Sequence, residues 1–134
     1  MKILFVCKYN RFRSRIAESY FNKLNKNKKI KAVSAGLIKG KPTPVKTIKT
    51  AKSFGINIRG KTKPLEEGLL ESKDLKYIII TADDVPKDIF KRFNKKIILW
   101  KIKDASAKRQ EDVKNRIKEI IKRINQLNKN LKRK

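Results

Sequence analysis

The chain has 134 residues and a formal net charge of +26, from 38 Lys and Arg against 12 Asp and Glu, with one cysteine and no histidine. That length suits one domain with a sizeable core; the lone thiol excludes an internal disulfide, and the usual zinc, haem and iron-sulfur ligand sets are missing. No metal or cofactor is expected, and the charge favours anionic partners, nucleic acid among them, although 29 Lys against 9 Arg spread along the chain equally suits a generally lysine-rich composition.

The opening MKILFVC has one charge, a short apolar stretch and no small-residue cleavage site, so it does not read as a signal peptide. No apolar run approaches the roughly 20 residues that cross a bilayer. The expectation is a soluble cytoplasmic protein without a membrane partner.

Lys2 to Cys7 (KILFVC) is almost continuously apolar, the pattern of a strand buried on both faces of a parallel sheet. A helix follows, with Ile16, Ala17, Tyr20, Phe21 and Leu24 on one stripe and Ser14 as candidate N-cap. Ile30 to Ala35 is shorter and more polar, which suits an edge strand. Val45, Ile48, Ala51 and Phe54 space a second helix, with Pro44 at its start and Gly55 past its end. Gly55 to Ser72 is the least regular stretch, with a short helix expected around Leu65 to Leu70. Tyr77 to Thr81 and Ile97 to Trp100 are further buried strands, and Asp84 to Phe93 between them reads as a helix. Val113, Ile117, Ile120, Ile121, Ile124 and Leu127 mark a long terminal helix, with a basic tail expected to fray from about residue 129.

Strands alternating with helices predict a single α/β domain over residues 1–134, a three-layer sandwich around a four-stranded parallel sheet. Ligands of such folds bind beyond the carboxyl ends of the strands. Cys7, Asp83 and the segment Lys101 to Asp104 all fall at such ends.

The turn from Lys8 to Arg13 joins a strand to a helix, so backbone N–H groups and the positive helix end converge there as an anion site. The same dipoles, with Lys8, Arg11, Arg13 and Arg15 nearby, favour a nucleophilic thiolate at Cys7. Arg13 carries a planar fork suited to two oxygens of a tetrahedral anion. A plainer reading makes Cys7 a small buried residue ending a core strand. Arg six and Ser or Thr seven residues after the only Cys coincide by chance roughly once in two hundred.

Cys7-x5-Arg13-Ser14 after the first strand, continuing R-I-A-E, resembles the low-molecular-weight protein tyrosine phosphatase family. "VSAG" (Val33 to Gly36), the helix closing in Phe-Gly-Ile, "IIITADD" and "ILWKIKDA" extend the resemblance over nearly the whole chain. It implies a metal-independent phosphomonoesterase that acts on phosphotyrosine or aryl phosphate through a phosphocysteine, with Cys7 as nucleophile and Arg13 and the loop amides on the transferred phosphoryl oxygens. Lys8, Tyr9, Asn10, Arg11, Phe12 and Arg13 form the substrate loop, which would also take inorganic phosphate or sulfate. Ser14 would donate to the thiolate, unless it serves only as the helix cap. Asn10 would hold a left-handed backbone, braced by Ser34, and Asp83 would be a structural carboxylate. With no histidine, the proton donor must be a carboxylate; the resemblance points to Asp104, with Asp83 as rival and pairing to Lys101, Lys103 or Lys108 as the plain alternative.

Departures from the family pattern are also legible. Tyr9 replaces a loop glycine, Phe12 a second loop cysteine, and Arg11 the threonine of arginine-phosphatase relatives. Ala105, Ser106 and Ala107 follow Asp104 where Pro and aromatic residues are usual. An arsenate reductase using an external thiol and a non-catalytic anion or nucleic-acid binding module stay open as alternatives.

Overall fold

Residues 1–106 and 108–132 are described by the computed structural model, so Ala107 and the last two residues of the basic tail lie outside it. The elements run β1 (Lys2–Cys7), α1 (Arg13–Leu24), β2 (Lys31–Gly36), α2 (Val45–Ser53), α3 (Glu67–Glu71), β3 (Leu75–Ile80), a 3-10 helix (Lys87–Phe93), β4 (Lys96–Leu99) and α4 (Gln110–Lys132). All four strands are parallel, in the order β2-β1-β3-β4. The more polar β2 therefore takes an edge and the apolar β1 an interior position.

The near-continuous apolar runs are explained by burial on both faces. Along β1, Ile3 and Phe5 join the core beneath α1 and α4, while Leu4 and Val6 join the one beneath α3 and the 3-10 helix. Phe5 has Phe21 and Trp100 as ring neighbours at 6.2 and 5.8 Å between centroids. Val113, Ile117, Ile120, Ile124 and Leu127 of α4 close the first core. No helix among the described residues is long and apolar enough to cross a membrane.

Four expectations are corrected. Ser14 does not cap α1: Phe12 is the cap residue, without a side-chain hydrogen bond, and Ser14 lies inside the first turn. Asp84 to Phe93 is not an α-helix; Pro86 delays the start and a 3-10 helix spans Lys87–Phe93. The stripe of α2 is rotated, so that Thr47 and Ala51 are buried while Val45 is 66% exposed. The terminal helix runs on to Lys132, past the point where fraying was expected.

The register fixes the edge at which the loops meet. Cys7 pairs with Gly36, Val6 with Ile80, and Ile80 with Leu99. Beyond the strands, Leu37 N–H donates to the Cys7 carbonyl, Thr81 N–H to Val6, Trp100 N–H to Ile80 and Asp83 N–H to Ile102. Segments distant in sequence are thus bonded to one another where β1 ends.

Gly36 is required by this closure. A Cβ there would lie 2.6 Å from the Tyr9 carbonyl carbon and 2.7 Å from the Asn10 nitrogen, both backbone atoms that cannot yield. Gly36→Ala is expected to lower stability by about 1–3 kcal/mol through overpacking. At Gly68, where an added Cβ meets nothing within 4 Å, Gly68→Ala should instead raise it by about 0.4–1 kcal/mol. Denaturant melts of the two variants measure the contrast.

Candidate active site

Five residues, Lys8 to Phe12, reverse the chain from the end of β1 into α1, and the reversal depends on Asn10. Its φ of 56° lies in the left-handed region, where asparagine is among the few side-chain-bearing residues accommodated. The side chain is fully buried and holds three segments together. Its Oδ1 accepts the Lys63 N–H at 2.9 Å, while Nδ2 donates to Ser14 Oγ at 2.8 Å and Ser34 Oγ at 3.0 Å. Arg15 reinforces the same assembly from one turn into α1, donating to the carbonyls of Arg59 and Gly60 at 2.5 and 2.8 Å. Burial lowers its pKa, with Glu18 opposing.

The directions of these bonds follow from what each atom can do. Glu18 accepts from Ser34 Oγ at 2.5 Å, which commits the Ser34 proton and leaves its oxygen to accept from Asn10. Lys63 N–H can only donate, so it sets the Asn10 amide with its oxygen toward the backbone and its nitrogen toward the serines. Ser14 Oγ accepts from that nitrogen and retains one proton. The Cys7 sulfur lies 2.9 Å away, and a thiolate there can only accept. The chain from Glu18 through Ser34, Asn10 and Ser14 therefore directs a donor at the sulfur.

Arg13 is buried, 3% exposed, and most of its N–H groups have partners. Its Nη1 donates to the Ile102 carbonyl at 2.9 Å and to Asp83 at 3.4 Å, and Nη2 to Asp84 at 3.3 Å; Nε lies 3.8 Å from Asp104. A guanidinium has five N–H groups, so Nε–H and one on Nη2 remain for a ligand. That edge is the one a tetrahedral anion takes bidentately.

Cys7, Tyr9, Arg11, Phe12, Arg13, Pro44, Thr47, Asp104, Ala105 and Val113 line one cavity of about 170 Å³. Cys7, Arg13 and Asp104 are thus brought together as expected. Asp104 is 64% exposed, accepts the Ala105 N–H at 2.9 Å and pairs with Arg13 rather than with Lys101, Lys103 or Lys108. Asp83 also turns to Arg13, at 3.4 Å. Within the expected substrate loop, Lys8 and Asn10 do not line the cavity: Lys8 Nζ stands 5.3 Å over the Tyr9 ring, and Asn10 is behind the loop. Arg11 donates weakly to the Pro42 carbonyl, at 3.3 and 3.4 Å. Sequence reading missed Glu18 and Asp84. Glu18, four residues after Ser14, shares its helix face, which was a usable signal; the partner of Asp84 is 71 residues away.

Residues 2–134 match the family described as low molecular weight phosphotyrosine protein phosphatase. Among solved structures, a low molecular weight protein tyrosine phosphatase from T. tengcongensis is 26% identical, with a TM-score of 0.81, covering 95% of this chain and 97% of that one. The YwlE arginine phosphatase from Geobacillus stearothermophilus superposes with a TM-score of 0.82 at 20% identity, over 98% and 92% of the two chains. An arsenate reductase from Archaeoglobus fulgidus does so with a TM-score of 0.76 at 24%, over 94% and 98%. Among curated protein sequences no match was found.

Inorganic phosphate should slow alkylation of Cys7 by occupying the loop. Arg13→Lys, which removes the fork, is expected to raise the half-protecting concentration about 10-fold or more. Asp84→Asn, which removes a carboxylate competing for Nη2, should lower it about threefold. Alkylation rates against phosphate concentration, followed by intact mass, read both.

Proposed function

The chain belongs to the low molecular weight phosphotyrosine protein phosphatase family, and from that premise we propose that it hydrolyses phosphotyrosine or aryl phosphate through a phosphocysteine. The observation that carries the reading is the convergence of a thiol, a bidentate arginine edge and an exposed carboxylate on one cavity, with a hydroxyl proton directed at the sulfur.

In this reading the Cys7 thiolate attacks phosphorus in line, forming P–S as the ester P–O bond breaks. Arg13 and the loop N–H groups hold the equatorial oxygens while charge redistributes. Asp104 protonates the departing oxygen. As a carboxylate it then takes a proton from water, whose oxygen attacks phosphorus and releases the thiolate to the Ser14 hydroxyl. No step calls on a metal ion or cofactor. Asp83 and Asp84 hold Arg13 rather than touch the phosphoryl group.

The wall composition bears on substrate choice. The aromatic residues are absent after Asp104, but Tyr9 lines the cavity with Pro44, Ala105 and Val113. Two aromatic side chains, Tyr9 and Phe12, and several aliphatic faces suit a phenyl ring. A reactive lone thiol also suits a reducing compartment, hence the cytoplasm.

Hydrolysis of p-nitrophenyl phosphate across pH in chelator tests the proposal. Turnover is expected without metal, lost in Cys7→Ser and slowed about 10²–10⁴-fold in Asp104→Asn. Folded wild-type protein that binds phosphate without turning over any aryl phosphate would overturn it.

A further inference from the structure

We infer that the rim of the cavity along residues 38–46 is a docking strip for an acidic segment of a phosphorylated protein, with Asp or Glu and apolar side chains beside the phosphotyrosine. The inference rests on the proposed aryl phosphate hydrolysis and names the substrate class of that site.

Size is the first argument. A cavity of about 170 Å³ is below the roughly 300–1,000 Å³ that encloses a drug-sized ligand. It takes the phosphate and part of a ring, and the remainder of any larger substrate lies on the rim.

The rim is unusual in its apolar exposure. The large hydrophobic residues that stand out from the surface are Tyr9, Ile38, Val45 and Ile89, at 40, 54, 66 and 43%. Of these, Tyr9 lines the cavity itself. Ile38 is fixed against the loop by its N–H bond to the Lys8 carbonyl. Val45 follows the cavity-lining Pro44. Tyr9 is clasped from below at Gly40, where a Cβ would stand 2.7 Å from the Tyr9 Cβ. The glycine thus lets the 38–46 segment lie directly on the tyrosine at Gly40, with the exposed Ile38 two residues before it and Val45 five after.

Charge supplies the second half of the recognition. Lys39, Lys41 and Lys46 are exposed between these residues, and from Ser19 to Leu65 the chain has no acidic residue at all. Glu111 and Asp112, in the first turn of α4, precede the cavity-lining Val113, and the start of that helix is tied to α2 by the Thr50–Gln110 bond at 2.6 Å. An acidic segment leaving the cavity along 38–46 therefore meets three exposed lysines and no carboxylate from that stretch of chain. RNA would also meet the lysines, but it needs stacking platforms. The strip offers aliphatic Ile38 and Val45 and a Tyr9 ring already faced by Lys8.

The test compares three phosphotyrosine peptides of equal length, with acidic-apolar, neutral and basic flanks, against p-nitrophenyl phosphate at low and high salt. The acidic peptide should exceed the neutral one about 10-fold in kcat/KM at low salt, mostly through KM, and the margin should shrink as salt rises. Lys39→Glu, Lys41→Glu and Lys46→Glu combined should erase the preference while p-nitrophenyl phosphate turnover stays within about twofold. Ile38→Ser with Val45→Ser should reduce it about threefold without changing its salt dependence. Equal rates on acidic and neutral peptides, or a preference that survives charge reversal, overturn the docking strip while leaving the phosphatase reading intact. If no aryl phosphate is hydrolysed, peptide anisotropy on Cys7→Ser decides the strip alone. Tighter, salt-sensitive binding of the acidic peptide supports it, and a single-stranded RNA of equal charge binding more tightly overturns it.

Discussion

One buried asparagine holds the molecule's reactive edge together. Asn10 takes the left-handed conformation that lets the chain turn from β1 into α1. Its amide then collects the Lys63 backbone, β2 through Ser34 and α1 through Ser14. Each of these partners leaves it one hydrogen-bonding option, so the amide orientation and the Ser14 proton are settled before any ligand arrives. Electrostatic preorganisation of this kind costs no rearrangement during reaction. An aspartate at position 10 would keep the conformation but present acceptors to two hydroxyls already committed elsewhere.

Arg13 obeys a related logic. A guanidinium with 3% exposure would be costly without partners, and a phosphate cannot be its only one because phosphate leaves. Ile102 and Asp83 occupy Nη1 permanently, and Asp84 shares Nη2. The fork is therefore fixed in plane by groups behind it, with an edge open to the cavity.

Much of this was legible in the sequence, for reasons that can be stated. The strands showed because parallel-sheet strands buried on both faces exclude polar residues, and β1 between β2 and β3 is the extreme case. The loop after β1 showed because Cys7, Asn10, Arg13 and Ser14 are local to one turn. The errors share a cause in contacts that local pattern does not contain. The spacing of α2 gave the right helix, but its angle about its own axis is set by α4, so Thr47 turned inward and Val45 outward. Ser14 satisfied the composition of a cap while its hydroxyl was claimed by Cys7 and Asn10 from outside the helix. Asp84 could not be separated from Asp83 by sequence, since only the position of Arg13 gives each a nitrogen to meet.

The charge distribution gains meaning in the same frame. A chain with 12 acids against 38 bases places three of those acids, Asp83, Asp84 and Asp104, within 4 Å of one buried arginine. Against a net charge of +26, an anion loop left to its surroundings would bind tetrahedral anions tightly and release them slowly. Three carboxylates beside the fork lower the local potential where product must depart, while the exposed lysines outside keep drawing anions toward the mouth. Attraction at long range and restraint at contact act over different distances, because solvent screens the first over roughly 8–10 Å and hardly touches the second. The exposed lysines and the three carboxylates beside Arg13 therefore act on an anion at different ranges, the first on its approach and the second at contact.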